Sequence, residues 1–362
     1  MGILRILLAI SVVLAHSSSI FGFSLVGGQI AVQAFYIISG FYMALILNEK
    51  YIGANNSYKL FISNRFLRLY PIYWLVLFLT ILYSVALLIY SKGHSGGSFN
   101  VYYANFGNMN FGSFIFLLFT NLFLFLQDTI MFLGLDIKTG HLFFTSNFKE
   151  TTPQLYTFLF IPQAWTTGVE IAFYLIAPFL AKRKLKIIIP LILLSLILRS
   201  VLYFCFNLKN DPWTYRFFPT ELVFFLLGIV SYRIYKKVQP MALNSTFLKL
   251  IWIIILGITL TFNFLAIPAK SYLYLTSFFI FLPFVFILTK TWKIDSYIGE
   301  LSYPIYISHI FVLTIIKILK IPLIGGMGLV LTISTIIFSV ILNEFVAKKI
   351  EKIRQRRILP NR

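Results

Sequence analysis

The sequence predicts an all-α, polytopic transmembrane helix bundle, and three observations carry that prediction. Of the 362 residues, 59% are hydrophobic and only 12% are charged, far outside the range of soluble domains. No Asp, Glu, Lys or Arg occurs between Ile6 and Asn48, nor between Leu69 and Ser91; about 20 such residues in a helix cross a hydrocarbon core of about 30 Å. The apolar runs also lack a barrel strand's period-two alternation, and in lipid only helices and closed barrels satisfy the backbone.

In chain order the apolar segments fall at 3–22, 28–47, 66–90, 113–133, 162–181, 187–206, 218–235, 247–267, 271–289, 297–316 and 326–347. The first resembles a signal peptide in having Arg5 before an apolar run and small residues at Ala15 and Ser17. A second uncharged span follows at once with no soluble domain to export, which favours a mature helix. The single cysteine, Cys205, leaves no internal disulfide and no multi-cysteine metal site, so no metal is expected.

Basic residues set the expected orientation. They are densest in "KRKLK" at 182–186, "RIYKK" at 233–237, at Lys290 with Lys293, and in the tail "KKIEKIRQRR" at 348–357. By the positive-inside rule these are cytoplasmic, as are both termini and the loop carrying Lys50, Lys59, Arg65 and Arg68. The chain then leaves the membrane near Ser91 and must again be outside near Pro162, so 113–133 cannot be a simple crossing. About ten full spans plus one re-entrant or surface-lying segment are expected. Residues 1–347 would form the transmembrane domain and 348–362 a short basic cytoplasmic tail. The net charge of +20 requires no nucleic acid, because it sits where anionic lipid attracts it.

Ionisable groups inside spans are costly and mark function by default. His16, Glu170, Arg199, Glu221 and His309 are such groups. At 1.5 Å per residue, His16, Arg199 and His309 lie about 18–20 Å from the cytoplasmic face, with Glu170 at a similar depth from the outer face and Glu221 nearer the outside. Each alone could be a satisfied buried group joining two helices; two histidines, an acid and an arginine at one level point to a site.

The stretch "FISNRFLRLYPIYW" at 61–74 places Arg65 and Arg68 three apart, on one helical face, before an uncharged run. They can be snorkelling anchors among the interfacial aromatics Tyr70, Tyr73 and Trp74. Two guanidinium forks side by side also suit phosphate, which arginine binds through two parallel hydrogen bonds.

Five segments in order, "LRILLAISVVLAHSS", "GGQIAVQAFYIISGFYMALIL", "FISNRFLRLYPIYW", "IPQAWTTGVEIAFYLIAPFL" and "IGELSYPIYISHIFV", resemble the integral-membrane acyltransferase-3 family. That family includes bacterial O-acetyltransferases of O-antigen, exopolysaccharide and Nod factor. The resemblance covers nearly the whole chain, and its strength lies in the ordered set: the first-helix histidine, "SGF", R-x-x-R, W-x-x-x-x-E and S-Y-x-x-Y-x-x-H. It implies that His16 is the catalytic histidine, that Arg65 and Arg68 meet acyl-CoA, and that Glu170 is the acid of the fifth-helix motif. Ser302, Tyr306 and His309 fall on the late motif. Thr167 and Gly168 stand where serine and a hydrophobe are common, and Gln33 where an acid is frequent. No fused esterase domain is expected, and the resemblance allows a separate extracytoplasmic partner protein.

The expected activity is transfer of an acetyl or other short acyl group from cytoplasmic acyl-CoA to a hydroxyl of an envelope polysaccharide or lipid-linked glycan, in the cytoplasmic (inner) membrane of a bacterium. The acceptor hydroxyl needs a general base, and histidine, with a reference pKa of about 6.5, is the usual choice. Glu170 would orient an imidazole or hold its charge, and Arg199 or Ser302 would stabilise the oxyanion. Two other classes stay open. A transporter or flippase for an acyl group or lipid-linked sugar would also bury charges at midplane, but should show an internal repeat, and none is visible. A scaffold would have no use for two histidines at one depth.

Overall fold

The structure, a computed structural model, describes residues 1–51 and 57–358. Its helices are α1 (Gly2–Ala15), α2 (Gly28–Glu49), α3 (Tyr58–Tyr90), α4 (Asn100–Asn105), α5 (Phe111–Phe123), α6 (Trp165–Leu180), α7 (Leu185–Phe204), α8 (Phe218–Val238), α9 (Ser245–Thr261), α10 (Lys270–Thr289), α11 (Lys293–Glu300), α12 (Ser302–Ile318), α13 (Met327–Leu342) and α14 (Lys348–Ile358). An antiparallel hairpin of β1 (Leu133–Leu135) and β2 (Leu142–Phe144) lies between α5 and α6, with Leu133 opposite Phe144.

Among the described residues, eight helices are long and apolar enough to cross a membrane when α11 is joined to α12 and α13 to α14. The spans expected at 3–22 and 162–181 instead fall on α1 and α6, which have 14 and 16 residues. At 1.5 Å per residue they reach about 21 and 24 Å, less than a hydrocarbon core. Composition overstated both. After His16 the apolar run continues as a loop, pinned by an isolated bridge between Ile20 and Phe23, and α6 starts only after a 3₁₀ turn at Pro162–Ala164.

The basic segments meet at one end of the bundle. Lys236 pairs with Glu49 at 3.3 Å, Lys290 donates to the Tyr235 hydroxyl at 3.4 Å, and Arg233 donates to the Arg183 carbonyl. Both Met1 and Ile358 line the cavity at this end. The basic tail expected at 348–362 is helical up to Ile358: α13 passes through a π-helical turn at Asn343–Ala347 into α14. α14 docks on α3 through Arg354 Nε to the Asn64 carbonyl (3.0 Å) and Arg357 to Asn64 Oδ1 (3.0 Å) and Ser63 Oγ (2.8 Å). Residues 359–362 of that tail lie outside the described residues.

The segment expected at 113–133 is α5, 13 residues long, followed by a 3₁₀ stretch at Gln127–Phe132. Its chain reverses at Leu124 and Leu126, both in the left-handed region at φ +60° and +63°. The last carbonyls of a helix have no partner in the helix itself, and in lipid none comes from water. Here α3 supplies them. Tyr73 donates to the Asn121 carbonyl, Trp74 Nε1 to that of Leu122 at 2.8 Å, and Tyr70 to that of Phe123. The aromatics expected as interfacial anchors therefore cap α5 halfway along α3.

α2 and α8 cross at the centre of the bundle, where small residues let the backbones touch. A Cβ on Gly40 would sit 1.9 Å from the Phe225 carbonyl oxygen, and one on Gly228 2.1 Å from that of Ile37. This contact is the structural reason for "SGF" in the second helix.

Candidate active site

α3 starts at Tyr58, where Ser57 Oγ accepts from the Leu60 amide at 3.3 Å, so Arg65 and Arg68 lie about two and three turns inside the helix and not at its threshold. Arg65 is 6% exposed, in the wall of the bundle, where a snorkelling anchor would not be. Both arginines line a cavity of about 380 Å³ at the basic end, together with Arg5, Lys50, Lys290 and Arg354. Glu170, Tyr36, Thr166 and Tyr306 also line it. Among the described residues, two buried polar atoms of lining residues have no partner, Arg65 Nε and the Tyr36 hydroxyl.

The Tyr306 hydroxyl accepts from Thr166 Oγ1 at 2.7 Å and donates to the Gln163 carbonyl at 2.7 Å. Its ring lies 6.1 Å from that of His309, one turn further along α12. His309 does not line the cavity; it is fully buried, and its ring meets that of His16 at 4.9 Å between centroids. His16 is exposed, at the end of α1 opposite the cavity. Each imidazole is held by its own helix, His16 Nδ1 against the Val12 carbonyl at 2.9 Å and His309 Nδ1 against the Tyr306 carbonyl at 2.7 Å. A carbonyl only accepts, so in both neutral rings Nδ1 carries the proton and Nε2 is left as the basic nitrogen. His309 Nε2 is buried without a partner among the described residues.

The remaining sequence-derived residues divide. Glu170 faces the cavity, where its Oε1 accepts from Ser39 Oγ at 2.6 Å and from the Tyr174 hydroxyl. It does not orient an imidazole; the backbone carbonyls do. Ser302 Oγ accepts from Arg5 at 2.9 Å and donates to the Gly299 carbonyl at 2.8 Å, two turns from His309, so it is not placed as an oxyanion donor beside the histidines. Arg199 lies apart from both cavity and histidines. It pairs with the fully buried Glu221 and donates to the carbonyls of Thr214 (2.9 Å) and Thr220 (3.1 Å). The match of depths that grouped Arg199 with the histidines ignored lateral position, which a linear rise cannot give.

The two departures from the commoner family pattern have local causes. Gln33 Nε2 donates to Glu221 Oε2 at 3.3 Å, where an acid would face a second carboxylate. A Cβ on Gly168 would fall 2.9 Å from both Asp128 Oδ1 and the Leu124 carbonyl, so a larger side chain there would press on the turn after α5. Sequence reasoning missed Arg5, Tyr36 and Arg354 as cavity residues. Arg5 stands in the first quoted motif, where it marks only the basic residue before an apolar run, and Tyr36 in the second carries no charge to single it out.

A polytopic helix bundle whose interior holds a cation-lined cavity and, behind it, a buried histidine defines a multi-pass membrane protein with polar chemistry at its centre. The chain belongs to the acyltransferase-3 family, whose acyltransferase-domain model matches residues 1–344. It is thus a membrane acyltransferase by family. No curated protein and no solved structure matches it.

Proposed function

We propose that this acyltransferase moves an acetyl or other short acyl group from cytoplasmic acyl-CoA to a hydroxyl of an envelope polysaccharide or lipid-linked glycan outside the inner membrane of a bacterium, with or without a separate extracytoplasmic partner. The observation that supports this reading is the layering along one axis. Arg65 and Arg68 line a cavity at the basic end, Tyr306 forms its inner wall, and the paired imidazoles of His309 and His16 lie behind that wall, His16 being exposed beyond it. Phosphates cannot enter lipid cheaply and would stay at the arginines, while the flexible pantetheine arm carries the thioester inward.

In the reaction, His16 Nε2 takes the proton of the acceptor hydroxyl as that oxygen bonds to the thioester carbonyl carbon. The carbon–sulfur bond then breaks, and the imidazolium returns its proton to the departing CoA sulfur. Glu170 acts within the cavity and not on the histidines, setting the charge and hydrogen bonding of the donor channel through Ser39 and Tyr174.

The test is release of CoA thiol from acetyl-CoA and other short acyl-CoAs by purified protein in detergent, with mass spectrometry of envelope polysaccharide from cells with and without the protein. Thiol release that is lost in His16→Ala, together with a missing acyl mass on the polysaccharide, is the expected result. Absence of CoA release with every short acyl-CoA, or an unchanged polysaccharide, would overturn it.

A further inference from the structure

The family match ends at residue 344, before α14 begins. Yet α14 turns one face to the arginine cavity: Glu351, Arg354, Gln355 and Ile358 all line it, spaced i, i+3, i+4 and i+7. Arg354 is 6% exposed, as is Arg65, and its Nε is fixed to the carbonyl of Asn64, the residue before Arg65. Its second anchor is an ion pair with Glu351, one turn back on the same helix. Arg65, Arg68 and Arg354 thus join Arg5 in lining one cavity, and Arg65 Nε within it has no partner among the described residues. Guanidinium groups repel one another unless an anion sits between them, and Glu351 is the only carboxylate α14 brings to the cavity.

We propose that Arg354 is a third phosphate-binding arginine of the donor site, and that Glu351 is a resident carboxylate which holds Arg354 until a phosphate of the donor replaces it. The inference rests on the reading of the cavity as an acyl-CoA site and adds to it a helix beyond the family's matched region. The chemistry recognised is a nucleotide bearing several phosphates, since two arginines suffice for one phosphate and the third extends the site along a second. Exchange of a carboxylate for a phosphate in front of Arg354 keeps its charge paired before and after binding, so no unpaired guanidinium is left buried in either state.

The experiment is calorimetric titration of CoA into the purified full chain at fixed ionic strength, for wild type, Arg354→Gln, Glu351→Gln and Arg357→Gln. Arg357 docks α14 on Ser63 and Asn64, so its variant reports what loosening the helix alone does. Arg354→Gln should weaken CoA about tenfold or more, the scale of a lost charge-assisted hydrogen bond. Glu351→Gln should tighten it by about threefold, as the competing charge is removed, and Arg357→Gln should stay within about twofold of wild type. Equal weakening in the Arg354 and Arg357 variants would mean that α14 is only structural, and an unchanged or weaker Kd in Glu351→Gln would overturn the exchange. If Arg354→Gln does not fold, the Glu351 variant still decides. A wild type that binds no CoA refutes the donor reading itself, whereas loss of binding in Arg65→Lys and Arg68→Lys with none in Arg354→Gln refutes this inference alone.

Discussion

His16 and His309 look equivalent in the sequence, each a lone imidazole in an apolar helix, but they differ in access. His16 is exposed at the end of α1 away from the cavity, while His309 is sealed behind Tyr306. Only the first can receive an acceptor hydroxyl from the far side without rearrangement. His16→Ala should therefore be expressed and inserted at normal levels, bind acyl-CoA, and turn over about 100- to 10,000-fold more slowly, the range for loss of a general base. His309→Ala should be impaired less severely. Transfer by His16→Ala at more than about a tenth of the wild-type rate would reverse the two assignments. Lysine at Arg65 or Arg68 keeps the charge but not the planar fork, so the KM for donor should rise in both variants while protein abundance is unchanged. A donor KM near wild type in both would remove the pair from donor binding.

At the scale of elements, two contacts decide how the helices meet. Gly40 and Gly228 bring α2 and α8 to backbone contact, and a methyl group at either position has a carbonyl oxygen at about van der Waals overlap. Gly40→Ala should lower thermal stability by at least the ~1–3 kcal/mol typical of overpacking, read as a fall in the melting transition in detergent. Its stability should not be recovered by a second alanine at 228. The other contact is the aromatic cap on α5. Tyr73 is fully buried, and its hydroxyl satisfies the Asn121 carbonyl, whose side chain in turn receives the Phe160 amide at 2.8 Å. Tyr73→Phe leaves that carbonyl unpaired and should cost about 1–3 kcal/mol, whereas Tyr90→Phe, at an exposed position, should cost nothing measurable. Equal stability of the two variants would show that α5 is held by something other than its cap.

For the molecule as a whole, the convergence of Arg183, Arg233, Lys236 and Lys290 with the arginine cavity at one end puts the basic segments on a common side. With Cys205 replaced by serine, a cysteine at Lys184 should resist an impermeant thiol reagent in intact cells, and one at His94 should react. Labelling of position 184 from outside would invert the bundle and put the arginine cavity on the outer side, against the proposed use of cytoplasmic acyl-CoA. Helical class, the membrane as solvent, the shortness of any helix at 113–133 and several of the polar residues that line the cavity were legible because charge is so costly in lipid that its position along the chain carries information. Helix ends were less so. The run at 3–22 stayed apolar past the point where α1 stops at His16, since a loop packed inside protein at membrane depth needs no polar residues.

Composition and the placement of charge determined by themselves that this chain is a bundle of membrane helices, and the ordered motifs determined its family. Those properties follow from one-dimensional quantities: the length of uncharged runs, the side on which lysine and arginine accumulate, and spacing along a helix. Which polar groups meet is a lateral question, and only the tertiary structure decided it. Arg199 matches His16 and His309 in depth yet belongs to Glu221, Glu170 faces the arginines and not the histidines, and α14 returns from the chain's end to sit beside Arg65. Depth is fixed by counting residues at 1.5 Å each, but rotation about the helix axis and the choice of neighbour are set by packing, of which Gly40 on Gly228 is the clearest case.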